Sequence, residues 1–107
     1  MFRSSHRIIT LMHKEFYTYI LASKRNGTLY IGVTCNLVKR IWEHKEGIAD
    51  CFTKKYTIKN LVYYEQHTNI ESAIHREKRL KEWNRRWKLN LIEKFNPNWD
   101  DLYKGIL

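Results

Sequence analysis

The chain has little of what staples or spaces a small protein. It holds two cysteines, Cys35 and Cys51, which form neither a CxxC pair nor a Cys/His cluster of zinc spacing. A disulfide framework is therefore not expected, and a reducing compartment fits. One proline and four glycines leave no low-complexity linker, and no internal repeat is visible. No apolar run approaches the roughly 20 residues of a membrane span. The stretch RIITLM, residues 7–12, is too short and too polar in its flanks for a secretory segment. These absences predict a soluble cytoplasmic protein. At 107 residues the chain is long enough for one domain with one small core. Met12 stands just before the first patterned strand, so residues 1–12 read as an N-terminal extension and 13–107 as a single domain.

What is present is aromatic and basic. Four Trp, seven Tyr and four Phe supply 14% of the chain, enough to argue against disorder. Lys and Arg total 20 against 11 Asp and Glu, a net charge of +9. A small folded domain this basic implies a polyanionic partner, nucleic acid first. The plain alternative is a solvated basic surface that only aids solubility.

The order of elements follows from pattern. FYTYILAS, from Phe16, alternates and is rich in aromatics, which reads as a strand. Asn26-Gly27 is a hairpin turn signal, and TLYIGV is the returning strand. Leu29, Ile31 and Val33 point to one face of it, Tyr30 and Gly32 to the other. Asn36 is a suitable N-cap for a helix over 37–45, which Gly47 stops. In that helix Leu37 and Ile41 form an apolar i, i+4 row, and Arg40 and His44 form a second row on its border. DCFTKKYTIKN reads as a polar connection, and residues 61–65 as a third strand. Thr68-Asn69-Ile70-Glu71 fits a capping box for the next helix, whose apolar side carries Ile70, Ala73, Ile74 and Leu80. Glu77 falls near the centre of that stripe, where an unpaired carboxylate is costly. A break near Asn84 and a stop at Asn96-Pro97 bound a last helix, with Trp87, Leu91 and Phe95 on one face. Trp42, Trp83 and Trp87, at helical spacing, read as core. Trp99 and Tyr103 read as packing anchors. The simplest assembly is α+β, a three-stranded antiparallel sheet flanked by helices.

The odd residues have a shared chemistry. Tyr17, Tyr19 and Tyr30 lie on one hairpin face, Arg40 and His44 on the first helix, and Glu77 on the second. If they converge, the inventory suits phosphodiester hydrolysis. Arginine binds phosphate and stabilises developing charge. A single carboxylate can hold Mg²⁺, which keeps most of its waters. A phenol or imidazole can take a proton from water, although a phenol's usual pKa is about 10. Each residue also has a plain reading. The tyrosines could be ordinary sheet aromatics, Arg40 and His44 surface side chains, and Glu77 half of a salt bridge with Arg40 or Lys81.

In this pattern the chain resembles a GIY-YIG endonuclease domain of the small stand-alone type, over about residues 16–103. Tyr30-Ile31-Gly32 matches the second half of the family's name as it stands. Tyr17-Thr18-Tyr19 matches the first half only in its last residue. Tyr19 precedes Tyr30 by eleven residues, Tyr30 precedes Arg40 by ten, and His44 follows one turn later. The resemblance implies a GIY-YIG-like fold and metal-dependent cleavage of nucleic acid, DNA before RNA. It implies Tyr30 as the phenol that helps activate water and Tyr19 as its orienting partner. Arg40 would hold the scissile phosphate, and His44 would assist proton transfer or contact phosphate. Glu77 would be the single ligand of Mg²⁺ or Mn²⁺, and Asn96 the family's late asparagine. Apart from the resemblance, Lys54, Lys55 and Tyr56 in the polar connection are expected to line the cleft, the two lysines contacting nucleic acid alongside Arg40. The other expectation is a non-catalytic module that binds nucleic acid or protein on the same fold.

Overall fold

The computed structural model describes residues 15–107. The expected extension, residues 1–12, lies outside the described residues, as do the first two residues of the expected domain.

Strand β1 (Phe16–Ala22) is followed by β2 (Leu29–Thr34), helix α1 (Leu37–Lys45) and a short helix α2 (Cys51–Lys55). Strand β3 (Asn60–His67), helices α3 (Ile70–Glu82) and α4 (Arg85–Phe95), and a closing 3-10 turn (Leu102–Ile106) complete the order. The sheet is three-stranded and antiparallel, in the order β2-β1-β3, with the first strand in the centre. The α+β architecture is the one expected from the alternation of periods 2 and 3.6.

The central strand explains why the sheet has two different faces. Tyr19 stands opposite Gly32 and Tyr64, and Leu21 opposite Tyr30, so these side chains share one face. Leu37 and Ile41 of α1, with Ile58, cover that face. Ile20, Ala22 and Ile31 point the other way, under Leu80 of α3, Ile92 of α4 and Trp99. Thr18 on that second face is fully buried and satisfies its hydroxyl on the Ala73 carbonyl at 2.9 Å.

Local chemistry sets the element ends. Asn36 Oδ1 accepts from the Lys39 amide at 3.1 Å and starts α1, while Gly47 at φ 75° ends it in the left-handed region. The cap of α3 is Asn69, whose Oδ1 accepts from the Ser72 amide at 2.8 Å. The Thr68 capping box is thus displaced by one residue, because asparagine caps at least as well as threonine. The connection after α1 contains helix α2, capped by Asp50 through a 2.7 Å bond from the Phe52 amide. Asn84 caps α4 and makes the break after α3.

The tryptophans depart from expectation. Trp42 is 47% exposed and Trp87 54%, since α1 and α4 bury other faces, with Trp83 only partly covered. Of the α4 stripe of Trp87, Leu91 and Phe95 only Leu91 packs partly against the core; the fully buried residue of α4 is Ile92. Phe95 instead rests edge-on against Tyr63 and Tyr64. Among the described residues no helix is long and apolar enough to cross a membrane.

Candidate active site

Four of the six expected catalytic side chains meet. Tyr19 comes from β1, Tyr30 from β2, and Arg40 and His44 from α1. The Tyr19, Tyr30 and His44 rings form a triangle with centroids 5.3 to 6.4 Å apart. Tyr19 and His44 are fully buried; Tyr30 and Arg40 are half-buried, and Arg40 lines a groove. The strand-helix turn makes this possible, because α1 lies on the same sheet face as the two phenols.

Gly32 has a specific part. A Cβ there would stand 2.5 Å from the Tyr19 hydroxyl and 2.6 Å from its ring carbon. Tyr19 therefore lies across Gly32, in space that a side chain there would need. The motif glycine accommodates a buried tyrosine.

The imidazole is held at both nitrogens. His44 Nε2 is 2.9 Å from the Tyr19 hydroxyl and Nδ1 is 3.1 Å from Thr53 Oγ1. Burial first, and the Arg40 charge second, push the His44 pKa down to about 4, so the ring is neutral near neutral pH. Burial also raises both phenols above their usual range. For Tyr30 the Asp50 carboxylate, whose Oδ2 accepts its hydroxyl at 3.3 Å, adds to the rise. The Arg40 guanidinium opposes the rise at both phenols without reversing it. Both therefore carry their protons at neutral pH. Arg40 itself contacts Glu43 at 3.2 Å, one turn along its own helix.

The other two expected residues sit elsewhere. Glu77 is on α3, which covers the opposite sheet face. Its carboxylate is paired with the Lys81 ammonium at 3.2 Å, and among the described residues it makes no hydrogen bond or ion pair with the tyrosine–histidine–arginine group. A groove along the β2 edge links the two sides. It is lined by Val33, Thr34, Lys39, Arg40 and Glu43, and by Ile70 at the start of α3. Asn96 has a different task from the expected one. Its amide donates to the Val62 and Asp100 carbonyls at 3.2 and 2.8 Å, and its oxygen accepts from the Asp100 amide at 3.1 Å. Those bonds use both amide hydrogens and clasp the C-terminal turn to β3. Lys54 and Lys55 are exposed on α2, next to Phe52, whose ring neighbours Tyr30 at 6.4 Å.

Asp50 and Thr53 were not among the expected residues. The available signal was an N-cap aspartate followed three residues later by a threonine, hidden in a stretch that looked polar and irregular.

Comparison with known proteins agrees with this fold. A model of the GIY-YIG catalytic domain matches residues 15–90. A UPF0213 protein of Staphylococcus haemolyticus is 37% identical over 79 residues, 74% of this chain and 95% of that one. A UPF0213 protein of Clostridium perfringens is 41% identical over 76 residues, 71% of this chain and 81% of that one. The solution NMR structure of the UPF0213 protein from Bacillus halodurans superposes with a TM-score of 0.52 at 27% identity, over 84% of this chain and 95% of that one. Its fold is the same three-stranded sheet with helices. With its tyrosine pair, glycine and arginine in place and the family domain spanning most of its length, the chain belongs to the GIY-YIG family, whose members are generally endonucleases.

Proposed function

We propose that this protein is a divalent-metal-dependent endonuclease that hydrolyses phosphodiester bonds in DNA. The observation that carries the reading is the meeting of Tyr19, Tyr30, Arg40 and His44, from three elements, in one cluster beside a groove of a chain with net charge +9. Nothing in packing requires a guanidinium beside two phenols and a doubly hydrogen-bonded imidazole.

Each side chain has a defined task. Arg40 binds the scissile phosphate and holds the charge that develops on its oxygens. The Tyr30 oxygen accepts a hydrogen bond from the attacking water and aligns it with phosphorus. Tyr19 lies beside Arg40 and leaves its charge intact, and neutral His44 holds the Tyr19 hydroxyl at 2.9 Å. Exposed Lys54 and Lys55 add contacts to flanking phosphates.

One carboxylate, Glu77, is open to a Mg²⁺ or Mn²⁺ ion by exchange of Lys81, from the helix across the sheet from Arg40. Among the described residues no group of three or more His, Cys, Asp or Glu side chains gathers. One carboxylate with water and substrate phosphate is the habit of Mg²⁺ rather than of a fully protein-caged ion. Glu77 is the residue that would hold it, exchanging Lys81 for the ion. When bound, the ion supplies Lewis-acid polarisation of a phosphate oxygen.

The second reading is a module that binds nucleic acid without cutting it, favoured by the closed Glu77–Lys81 pair on the far sheet face. A nicking assay on plasmid and branched DNA, with and without Mg²⁺, separates the two. Metal-dependent cleavage that disappears in Glu77→Ala and Arg40→Ala supports the enzyme. DNA binding by the parent chain with no metal-dependent cleavage supports the module. Salt-dependent binding to RNA and DNA in parallel ranks the two polymers.

A further inference from the structure

The turn that opens α2 makes two separate holds on the cluster. The directions of its hydrogen bonds follow from which atoms have protons to give. The Thr53 hydroxyl donates to the Asp50 carbonyl at 3.0 Å. Its single proton being spent, Thr53 Oγ1 accepts from His44 Nδ1, which is therefore the protonated nitrogen of the neutral ring. His44 Nε2 is then an acceptor, and the Tyr19 hydroxyl donates to it. Separately, the Tyr30 hydroxyl donates to Asp50 Oδ2, while Asp50 Oδ1 caps α2. Thr53 and His44 are fully buried, so no water competes for these bonds.

We infer that the Asp50–Thr53 turn sets the hydrogen-bond polarity of the cluster: it draws both phenolic protons inward, so that Tyr19 and Tyr30 present only acceptor lone pairs to Arg40 and to whatever enters. The consequence is selective. An acceptor pair attracts the guanidinium and a water molecule and repels anionic phosphate oxygens. Phosphate is thereby left to Arg40, and the water to Tyr30. Asp50 and Thr53 are positioning residues, acting through Tyr30 and through His44 and Tyr19. What the phenols do with this polarity rests on the proposed hydrolase; the polarity itself does not.

Ring spectroscopy on the full chain, labelled with ¹⁵N-histidine and ¹³Cζ-tyrosine, tests the inference without catalysis. In the parent chain His44 is expected in the Nδ1–H form. Thr53→Val, nearly isosteric, should shift the ring toward the other tautomer, and Thr53→Ser should restore it. Asp50→Asn preserves the cap of α2, since asparagine caps as well as aspartate. It removes one of the two charges next to Tyr30, the other being Arg40, and should move the Tyr30 titration downward. In the nicking assay Asp50→Asn should lower kcat about tenfold or more with KM held. An Nε2–H ring in the parent chain, a His44 spectrum that Thr53→Val leaves unchanged, or an unmoved Tyr30 titration in Asp50→Asn overturns the inference. A parent chain that cuts no substrate ends the hydrolase reading, while the ring spectra still decide this one.

Discussion

Two polar clusters lie on opposite faces of the same sheet, and each contains a tyrosine, a histidine and an arginine. On the α3 face Glu65 gathers Arg76 Nε at 2.7 Å, His67 Nε2 at 3.1 Å and the Tyr63 hydroxyl. Arg76 also lies over the Trp83 ring at 5.1 Å. On the α1 face Arg40 lies beside the two neutral phenols of the strands and, on its own helix, the neutral His44 ring and the Glu43 carboxylate at 3.2 Å, while the Asp50 carboxylate accepts from Tyr30 and not from Arg40. The two guanidiniums are almost equally exposed, 33% for Arg40 and 30% for Arg76, so burial does not distinguish them. The partner does. A carboxylate with three donors is a saturated clasp, whereas Arg40, with a single ion pair to Glu43 along its own helix, still has donors to offer an anion. Arginine, tyrosine and histidine together thus say little about function until the carboxylate is located.

The widest test of this contrast exchanges the two arginines for alanine. Arg40→Ala should lower cleavage by about 10²- to 10³-fold in kcat and leave the denaturation midpoint nearly unchanged. Arg76→Ala should keep the rate and cost about 1–3 kcal/mol of stability. If both substitutions move the same quantity, the clusters do not differ in kind.

Next in size is the response to acid. His44 titrates at about 4 in the fold and at its ordinary value of about 6.5 when unfolded, so the unfolded chain binds the extra proton first. Its contribution is fully present above about 6.5 and is lost as pH falls through about 4, a loss of about 3 kcal/mol for a fully buried ring. Urea unfolding between pH 7 and pH 4 should show this slope, and His44→Gln should remove it. A slope that survives the substitution would move the acid sensitivity away from the α1 face.

Smaller effects sharpen the comparison one face at a time. Gly32→Ala forces the buried Tyr19 ring aside and should cost about 1–3 kcal/mol, with the His44 ring resonances displaced and those of His67 unmoved. On the other face, Asn69→Ala should weaken the helix that carries Arg76 by about 1 kcal/mol, while Thr68→Ala changes stability by only a few tenths. Equal losses at the two positions would restore the capping box to Thr68.

Much of the architecture was legible because it is local. The Asn36 cap, the α1 span and the Gly47 stop depend on residues within a few positions of each other, and they stand as pattern predicts. The sharing of one sheet face by Tyr19 and Tyr30 follows from strand alternation and the hairpin register. The tryptophans were misread for a physical reason. Spacing identifies a helix face, but it cannot say which neighbour covers that face, and α1 and α4 turn Trp42 and Trp87 to solvent. Glu77 shows the same limit. Helical phase put it on the inner stripe, and the plain expectation of a Lys81 pair matches its contact, but phase could not say which side of the sheet α3 would cover. Asn96 stood beside a helix-ending proline, and only the fold shows its amide spent on Val62 and Asp100.

By itself the sequence determined the three strands, the three longer helices, the basic charge and the motif residues, because propensity, periodicity and composition are written in neighbouring positions. Tertiary structure alone decided which arginine meets a carboxylate from another element, that Tyr19 lies over Gly32, and that Asp50 and Thr53 stand behind the phenols. Those outcomes depend on hydrogen bonds between segments far apart in the chain. Burial then gives those bonds their strength by excluding the water that would otherwise compete.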